Sequence, residues 1–391
     1  MLPWLAAGLG GLAARGAAAQ SYIDSRLLLY QESDGRTQVI DPLFLLHQDL
    51  GGSRGELDLI AGFDVISGAS PTGGYPSLDV TTSASGRTST SGEFPAADYT
   101  DRRGSLSAAY RRRFGSHLPQ VDLSYSKEND YTAKGVGISD AWTMLEGRGT
   151  LHLGLSASRD VVLPAGSSVE RPKDSSGFAL GWTWVLGERD ILDVSGSLTR
   201  LSGYLDDPYK IVPVGPPDVG ATAPDHRPDS RQRFALVAKY GHYYSWEGAI
   251  KTSYRFYSDD WGVKAHTVEI DYDQHLGSDW IVSPQLRLYA QSGASFYGSL
   301  FVQPEKYMSA DYRLSAFNSV VGGLKVTKTI FHGFDLYAGV TYQVQQGNDR
   351  ITLTDGTRRK EDDDEGGGSS ASVSAADLNV ATLVIGFTRR F

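Results

Sequence analysis

The sequence predicts an all-β protein, a transmembrane antiparallel up-and-down β-barrel of about sixteen strands. Three observations carry that expectation. Long segments alternate apolar and polar residues with period two. Their connections sort by length, short on one rim and long on the other. The chain ends on Phe391 after an alternating apolar run. Strict alternation is the mark of a strand with two unlike faces. Strands of about ten residues with short turns on one side and long loops on the other are the signature of an outer-membrane barrel.

The alternation is plainest in three segments. In Trp246–Tyr257, residues Trp246, Gly248, Ile250, Thr252, Tyr254 and Phe256 share one face and Lys251, Ser253 and Arg255 the other. Trp280–Gln291 sets Val282, Leu286 and Leu288 against Ser283, Gln285 and Arg287. Phe334–Gln345 sets Leu336, Val340 and Val344 against Asp335, Thr341 and Gln343. The same reading along the chain places strands at 21–33, 37–49, 56–67, 103–113, 120–131, 135–145, 149–159 and 176–186, then at 190–203, 231–242, 247–258, 263–275, 280–293, 309–328, 334–346 and 377–391. The cuts within 120–159 and 309–328 are the weakest, so fourteen or eighteen strands also fit. Every even-numbered connection is short, as at Gly187-Glu188-Arg189, Gly277-Ser278-Asp279 and Phe331-His332-Gly333. Every long loop is odd-numbered: 68–102, 160–175, 204–230, 294–308 and 347–376. In an outer-membrane barrel the short turns and both termini face the periplasm. Aromatics fall at both predicted rims: Tyr243, Tyr244, Trp246, Trp280, Phe331 and Phe334 at the short turns, and Tyr204, Tyr257, Trp261 and Tyr297 at the long loops. Membrane interfaces favour such amphipathic rings.

Composition bounds the rest. At roughly 150 residues per domain, 391 residues would make two or three domains, but one large barrel also accommodates them. The absence of cysteine removes disulfides, thiolate metal sites and a cysteine nucleophile. Lys plus Arg number 37 against 46 for Asp plus Glu, a net charge of −9 that argues against a nucleic-acid partner. Residues 1–19 read as a secretory signal ending on Ala17-Ala18-Ala19, and 20–391 as the barrel. The signal departs from pattern in having no early Lys or Arg and in Arg15 interrupting its apolar stretch; the alternative is a buried helix. At the other end, Leu383, Ile385, Phe387 and Phe391 form an alternating terminal signal for the outer-membrane assembly machinery, with Arg389 where an apolar residue is usual.

Catalytic motifs are weak. Gly51-Gly52-Ser53-Arg54-Gly55 spells a nucleophile elbow, but the elbow needs a helix after it and a strand follows here. The eight histidines, among them His117, His242 and His332 at predicted turns, show no metal-ligand spacing. Glu361-Asp362-Asp363-Asp364-Glu365 before a Gly/Ser stretch reads as a solvated loop, since its spacing matches no calcium loop. The residues call for no cofactor and no enzyme activity, with an enzyme built at the rim as the remote alternative.

Two features bear on a channel. Loop 204–230 carries apolar and aromatic residues that a solvated loop does not need; with Asp207, Pro208, Tyr209 and Lys210 it is expected to fold inward and narrow the lumen. On the polar face of the strands lie Arg233, Lys239, Lys251, Arg255 and Arg287, with Glu269, Asp271 and Asp273 between two basic strands. Counting from the turns puts Lys251 opposite Glu269 or Asp271 and Arg287 opposite Glu269. A ladder Lys251–Glu269–Arg287 is therefore expected, serving either as a polar path for solutes or as a network that fills a closed barrel.

Tyr204–Lys210, Tyr254–Gly262 with His266-Thr267, and Ser126-Lys127-Glu128-Asn129-Asp130-Tyr131 together resemble an uncharacterised bacterial outer-membrane family, domain of unknown function 3570. The resemblance covers nearly all of the mature chain. It implies a place in an envelope redox or transport system, and it assigns no catalytic residue. The expectation is thus a barrel in the outer membrane of a Gram-negative bacterium, in contact with outer-membrane lipid and acting as a pore for small solutes. The alternative is a structural barrel that binds a periplasmic protein or lipoprotein.

Overall fold

The structure is a computed structural model. It describes residues 21–391 apart from 52–53, 72, 74–80, 83–87, 90–95, 165, 216–220 and 355–369. The signal assigned to 1–19, Ser53 of the elbow string and the acidic run 361–365 lie outside the described residues.

Period-two sequences fold here into one antiparallel wall. Successive side chains of a strand point to opposite faces. The sixteen barrel strands are β1 (Tyr22–Glu32), β2 (Gln38–Asp49), β3 (Glu56–Pro71), β4 (Ala96–Arg111), β5 (His117–Lys127), β6 (Tyr131–Met144), β7 (Gly149–Val162), β8 (Arg171–Val185), β9 (Asp190–Gly203), β10 (Ser230–Tyr244), β11 (Gly248–Asp259), β12 (Lys264–Leu276), β13 (Trp280–Gln291), β14 (Phe317–Phe331), β15 (Phe334–Gly347) and β16 (Leu378–Arg390). Each pairs with its neighbours in sequence, and β1 closes the ring on β16 with Tyr22 opposite Arg390 and Glu32 opposite Val380. Closure leaves no strand edge with unpaired amides, which lipid could not satisfy. Strands of 11 to 16 residues exceed the nine to eleven or so that a tilted strand needs to cross a bilayer. No helix among the described residues is long and apolar enough to cross a membrane.

The outer face is apolar. Leu106, Leu123, Ile138, Leu155, Leu198 and Ile385 are all exposed there. Even-numbered connections stay short, down to the two-residue turn His332-Gly333 between β14 and β15. Gly333 has φ of 75°, and a Cβ would stand 2.9 Å from the Arg390 carbonyl oxygen, so this turn needs glycine. The short-turn rim carries the expected belt. Tyr244 stacks on Trp246 at 4.3 Å between centroids, and Phe331 stacks on Phe334 at 5.0 Å. Of the residues expected as a terminal signal, Ile385 lies on the apolar outer face, Leu383 and Phe387 share its register, and Phe387 stacks on Phe334. Phe391 is exposed, and its amide donates to the Ser21 carbonyl. Arg389 caps the belt, its guanidinium 5.1 Å from the Phe331 ring and donating to the His332 carbonyl.

Three expectations need correction. The segment 309–316 is not strand. Asp311 accepts the amide of Arg313 and opens a short 3₁₀ turn, Tyr312–Leu314, so β14 begins at Phe317. Local carboxylate-to-amide bonds of this kind compete with strand pairing. The strands β3 and β4 run further towards the long loops than expected, and β5 begins at His117 rather than 120. The long-loop aromatics do not form a lipid belt: Trp261 is buried, packed with Val263, Ala294, Phe296 and Leu314 and flanked by half-buried Tyr257 and Tyr297, while Tyr204 is half-buried at the base of its loop.

Candidate functional site: a charged lumen under a loop cap

The lumen wall follows from register. Arg233, Lys239, Lys251, Arg255, Glu269, Asp271 and Arg287 fall on the inner face of β10–β13. Glu269 is directly opposite Arg287, and their side chains meet at 3.2 Å. Lys251 is opposite Asp271, but its ammonium reaches past it to Asp273 at 2.7 Å. The residue opposite Glu269 on β11 is Ser253, which donates to it at 3.4 Å. The expected ladder is therefore two separate pairs, Arg287–Glu269 and Lys251–Asp273. The slip is one alternate position, less than the length of a lysine side chain. Turn counting left the choice between Glu269 and Asp271 open for that reason.

The wall is water-accessible over a broad sector. Ser124, His152, Lys239, Lys251, Arg255 and Gln285 all face inward and are exposed, Lys251 with 59% of its side chain open. Across the ring the inner face of β2 and β3 is closed, with Val39, Asp41, Leu43, Asp58 and Asp64 buried. There His47 bonds Asp58 at 2.6 Å and Arg111 reaches Asp58 at 3.2 Å. Two histidines expected as plain turn residues also hold aspartates: His117 bonds Asp140 and His242 bonds Asp190.

The largest fully buried side chains of the described protein are not in the barrel wall. Val212, Pro213, Ser309, Asp311 and Ser315 lie in the two loops 204–229 and 292–316. Loop 204–229 folds back as a small hairpin, Ile211–Pro213 paired with Thr222–Pro224. Its Val212 and Val214 pack with Phe301, Met308 and Ala310 of the other loop. A ring of charges fastens the two. Arg227 donates to Asp225 at 2.6 Å and to Asp311 at 3.0 Å, Arg313 holds Asp311 at 2.6 Å and also Asp207, and Ser309 donates to Asp225. Burial alone would raise the Asp311 carboxyl, but Arg313, Arg227 and Lys210 outweigh it and hold Asp311 well below the usual carboxylate range. Burial wins at Asp225, which is raised despite Arg227.

The hairpin then crosses the mouth. The ammonium of buried Lys210 donates to Ser70 Oγ at 2.7 Å and to the Pro71 carbonyl at 2.5 Å. Those residues end β3, six positions from β9 round the sixteen-strand ring and seven from β10. Burial lowers the Lys210 pKa. Tyr209 donates to Asp130 in the β5–β6 turn. On the far side the Tyr312 ring lies 5.6 Å from the guanidinium of Arg36 in the β1–β2 turn, which also donates to Ala375. Asp207 accepts from the Tyr209 amide, which sets the turn in which Pro208 stands. The four loop residues expected to narrow the lumen are thus in a strap across the mouth. The network Asp225–Arg227–Asp311–Arg313 escaped the sequence reading because half of it lies in a segment that alternates like a strand; the sequence gives no other sign of it.

Beside the Tyr209 contact, carboxylate oxygens of Asp101, Glu128 and Asp130 lie within 4.8 Å of one another. Burial first, then the Asp101 charge, pushes the Glu128 carboxyl up to about 7.

A family model described as "Protein of unknown function (DUF3570)" matches residues 11–174 and 167–358. No curated protein matches the chain. Among solved structures it is similar to a bacterial polysaccharide outer-membrane secretin, with 9% identity and a TM-score of 0.50, covering 96% of this chain and 100% of that one. It is also similar to the OccK1 protein of Pseudomonas aeruginosa, with 10% identity and a TM-score of 0.41, covering 95% and 98%. A third likeness is to the siderophore receptor PirA of Pseudomonas aeruginosa, with 10% identity and a TM-score of 0.43, covering 95% of this chain but 63% of the receptor. At 9% identity the likeness to the first of these is one of fold alone.

Proposed function

The chain belongs to the family of unknown function DUF3570, and from that membership and its closed barrel we propose that it is an outer-membrane channel for small solutes whose mouth is strapped by its own loops. In this reading the short turns face the periplasm and the long loops the outside, the apolar face contacts outer-membrane lipid, and the terminal strand is read by the assembly machinery. The single observation that carries it is the exposed, charged inner face of β10–β13 behind an apolar outer face. A barrel that only scaffolds a membrane complex could fill that interior with packed side chains. Sixteen strands are enough to enclose an aqueous lumen when the loops leave room. The reading assigns the protein no catalytic step.

Liposome swelling tests it. Proteoliposomes of the whole barrel and of a form lacking residues 205–229 are diluted into an isotonic small sugar. The expected result is slow swelling with the intact protein and faster swelling without the strap. Equal, protein-independent rates for both folded forms would overturn the channel.

A further inference from the structure

We propose that the β10–β11 hairpin carries the route of a small anionic solute, along a column of lumen cations of which Lys239, Arg255 and Arg233 make no ion pair among the described residues. This rests on the channel reading and names its substrate class. Five inward cations climb this hairpin. In register order from the short-turn side they are Lys251, Lys239 (opposite Ser253), Arg255, Arg233 (opposite Asp259) and Arg231. From Lys251 to Asp259 is eight residues, about 27 Å of strand at roughly 3.3 Å per residue, so the column runs most of the wall up to the cap.

The pairing is lopsided. Lys251 holds Asp273 and Arg231 holds Asp259, so the two ends of the column are neutralised. Among the described residues Lys239, Arg255 and Arg233 make no ion pair, and Arg233 Nε has no hydrogen-bond partner. Arg255 instead lies over the Tyr257 ring at 5.4 Å and is exposed to the lumen. On β9, Asp193 stands opposite Lys239 in register but accepts from Thr183 at 2.7 Å and makes no ion pair with it. The acidic strand on the other side does not offset the three either. On β12, Glu269 is taken by Arg287 and Asp273 by Lys251, leaving Asp271 as the one inward carboxylate of that strand without an ion pair among the described residues. A half-buried cation such as Arg233 is ordinarily paired. With exposed Lys239 and Arg255 it lines one wall of a water-accessible lumen, and the three lower the energy of a mobile anion and raise that of a cation. Guanidinium groups also match carboxylate and phosphate oxygens in geometry. The Tyr257 hydroxyl donates to Asp259 and the Tyr289 hydroxyl to Gln291, so the neighbouring side chains are held in place around the column.

The experiment is a reversal-potential measurement in a planar bilayer across a potassium chloride gradient. It uses the full chain and the form lacking 205–229, each with and without the triple change Arg233→Gln, Lys239→Gln and Arg255→Gln. The expected result is chloride-selective current in the parent that loses its selectivity, with the reversal potential reaching or crossing zero, in the triple variant while current persists. Inorganic phosphate added to the bath should depress chloride current in the parent and not in the variant. Arg255→Lys, which keeps the charge, should retain selectivity and controls for folding. Current whose selectivity ignores the triple change, or a cation-selective parent, would overturn the anion route and leave the channel standing. No current from either folded parent form would overturn the channel itself, and the route with it.

Discussion

At the scale of single residues, the cap depends on a few buried charges. Lys210 bonds two groups of the far wall and sits between Asp311 and Asp207. Lys210→Met keeps the length and removes the donor. Hydrogen bonds from a charged group contribute about 1.5–3 kcal/mol, so the strap should lose roughly that much of its closing energy. Hydrogen exchange of the 204–214 amides in detergent checks it, and unchanged protection would show that the strap does not hang on this contact. Asp311 matters more, because it is the shared anion of Arg227 and Arg313. Removing one partner of a buried pair costs about 3–5 kcal/mol, and Asp311→Asn should release both loops together. Glu128 gives the cap a pH dependence. Its value in the folded protein, about 7, is raised above the ordinary 4.5. The neutral carboxyl is therefore favoured by folding: its contribution is complete below pH 4.5 and is lost as pH rises through about 7. Exchange at 128–131 and 204–210 should rise across that window, and Glu128→Gln should flatten the rise; an identical slope in the variant would remove Glu128 as the cause.

At the scale of elements, alternation decides which substitutions the wall accepts. Leu155 is on the lipid face and Ser156, next to it on β7, faces the lumen. An arginine facing lipid near the bilayer midplane costs about 2–4 kcal/mol, whereas the lumen face can solvate it. Leu155→Arg should lower the yield of heat-modifiable, folded barrel, and Ser156→Arg should not; equal yields would contradict the assignment of faces. The same alternation made the strands legible in the sequence. It could not say where strands end, because β3 and β4 rise above the membrane-crossing length with the pattern intact. Nor could it separate strand from cap at 309–316, where Asp311 and Arg313 alternate with Tyr312 and Leu314 like a strand while Asp311 accepts from the Arg313 amide. The pairing of Arg287 with Glu269 was readable by counting from a tight turn. That of Lys251 was not, since a flexible side chain chooses between two carboxylates on one face.

At the scale of the whole molecule, burial is inverted relative to a globular protein. The wall is one layer thick, with an exposed apolar face on one side and a polar lumen on the other, and the closest packing lies in the loops that meet over the mouth. The contacts of the strap reach the ends or turns of strands on opposite sides of the ring, so the barrel fixes the cap as a closed ring fixes a lid. Loop length on one rim is what the sequence displayed of this, together with apolar residues in 204–230 that solvent does not explain. The polar ring that fastens the two loops joins residues 84 and 106 positions apart, Asp225 to Ser309 and Asp207 to Arg313, and no local pattern encodes it.

Single-channel recording of the reconstituted barrel reads an aqueous lumen closed over by the strap most directly. Intact protein should show small or intermittent conductance, and deletion of 205–229 should give large, steady steps. A silent bilayer with both forms, each folded and inserted, would contradict it.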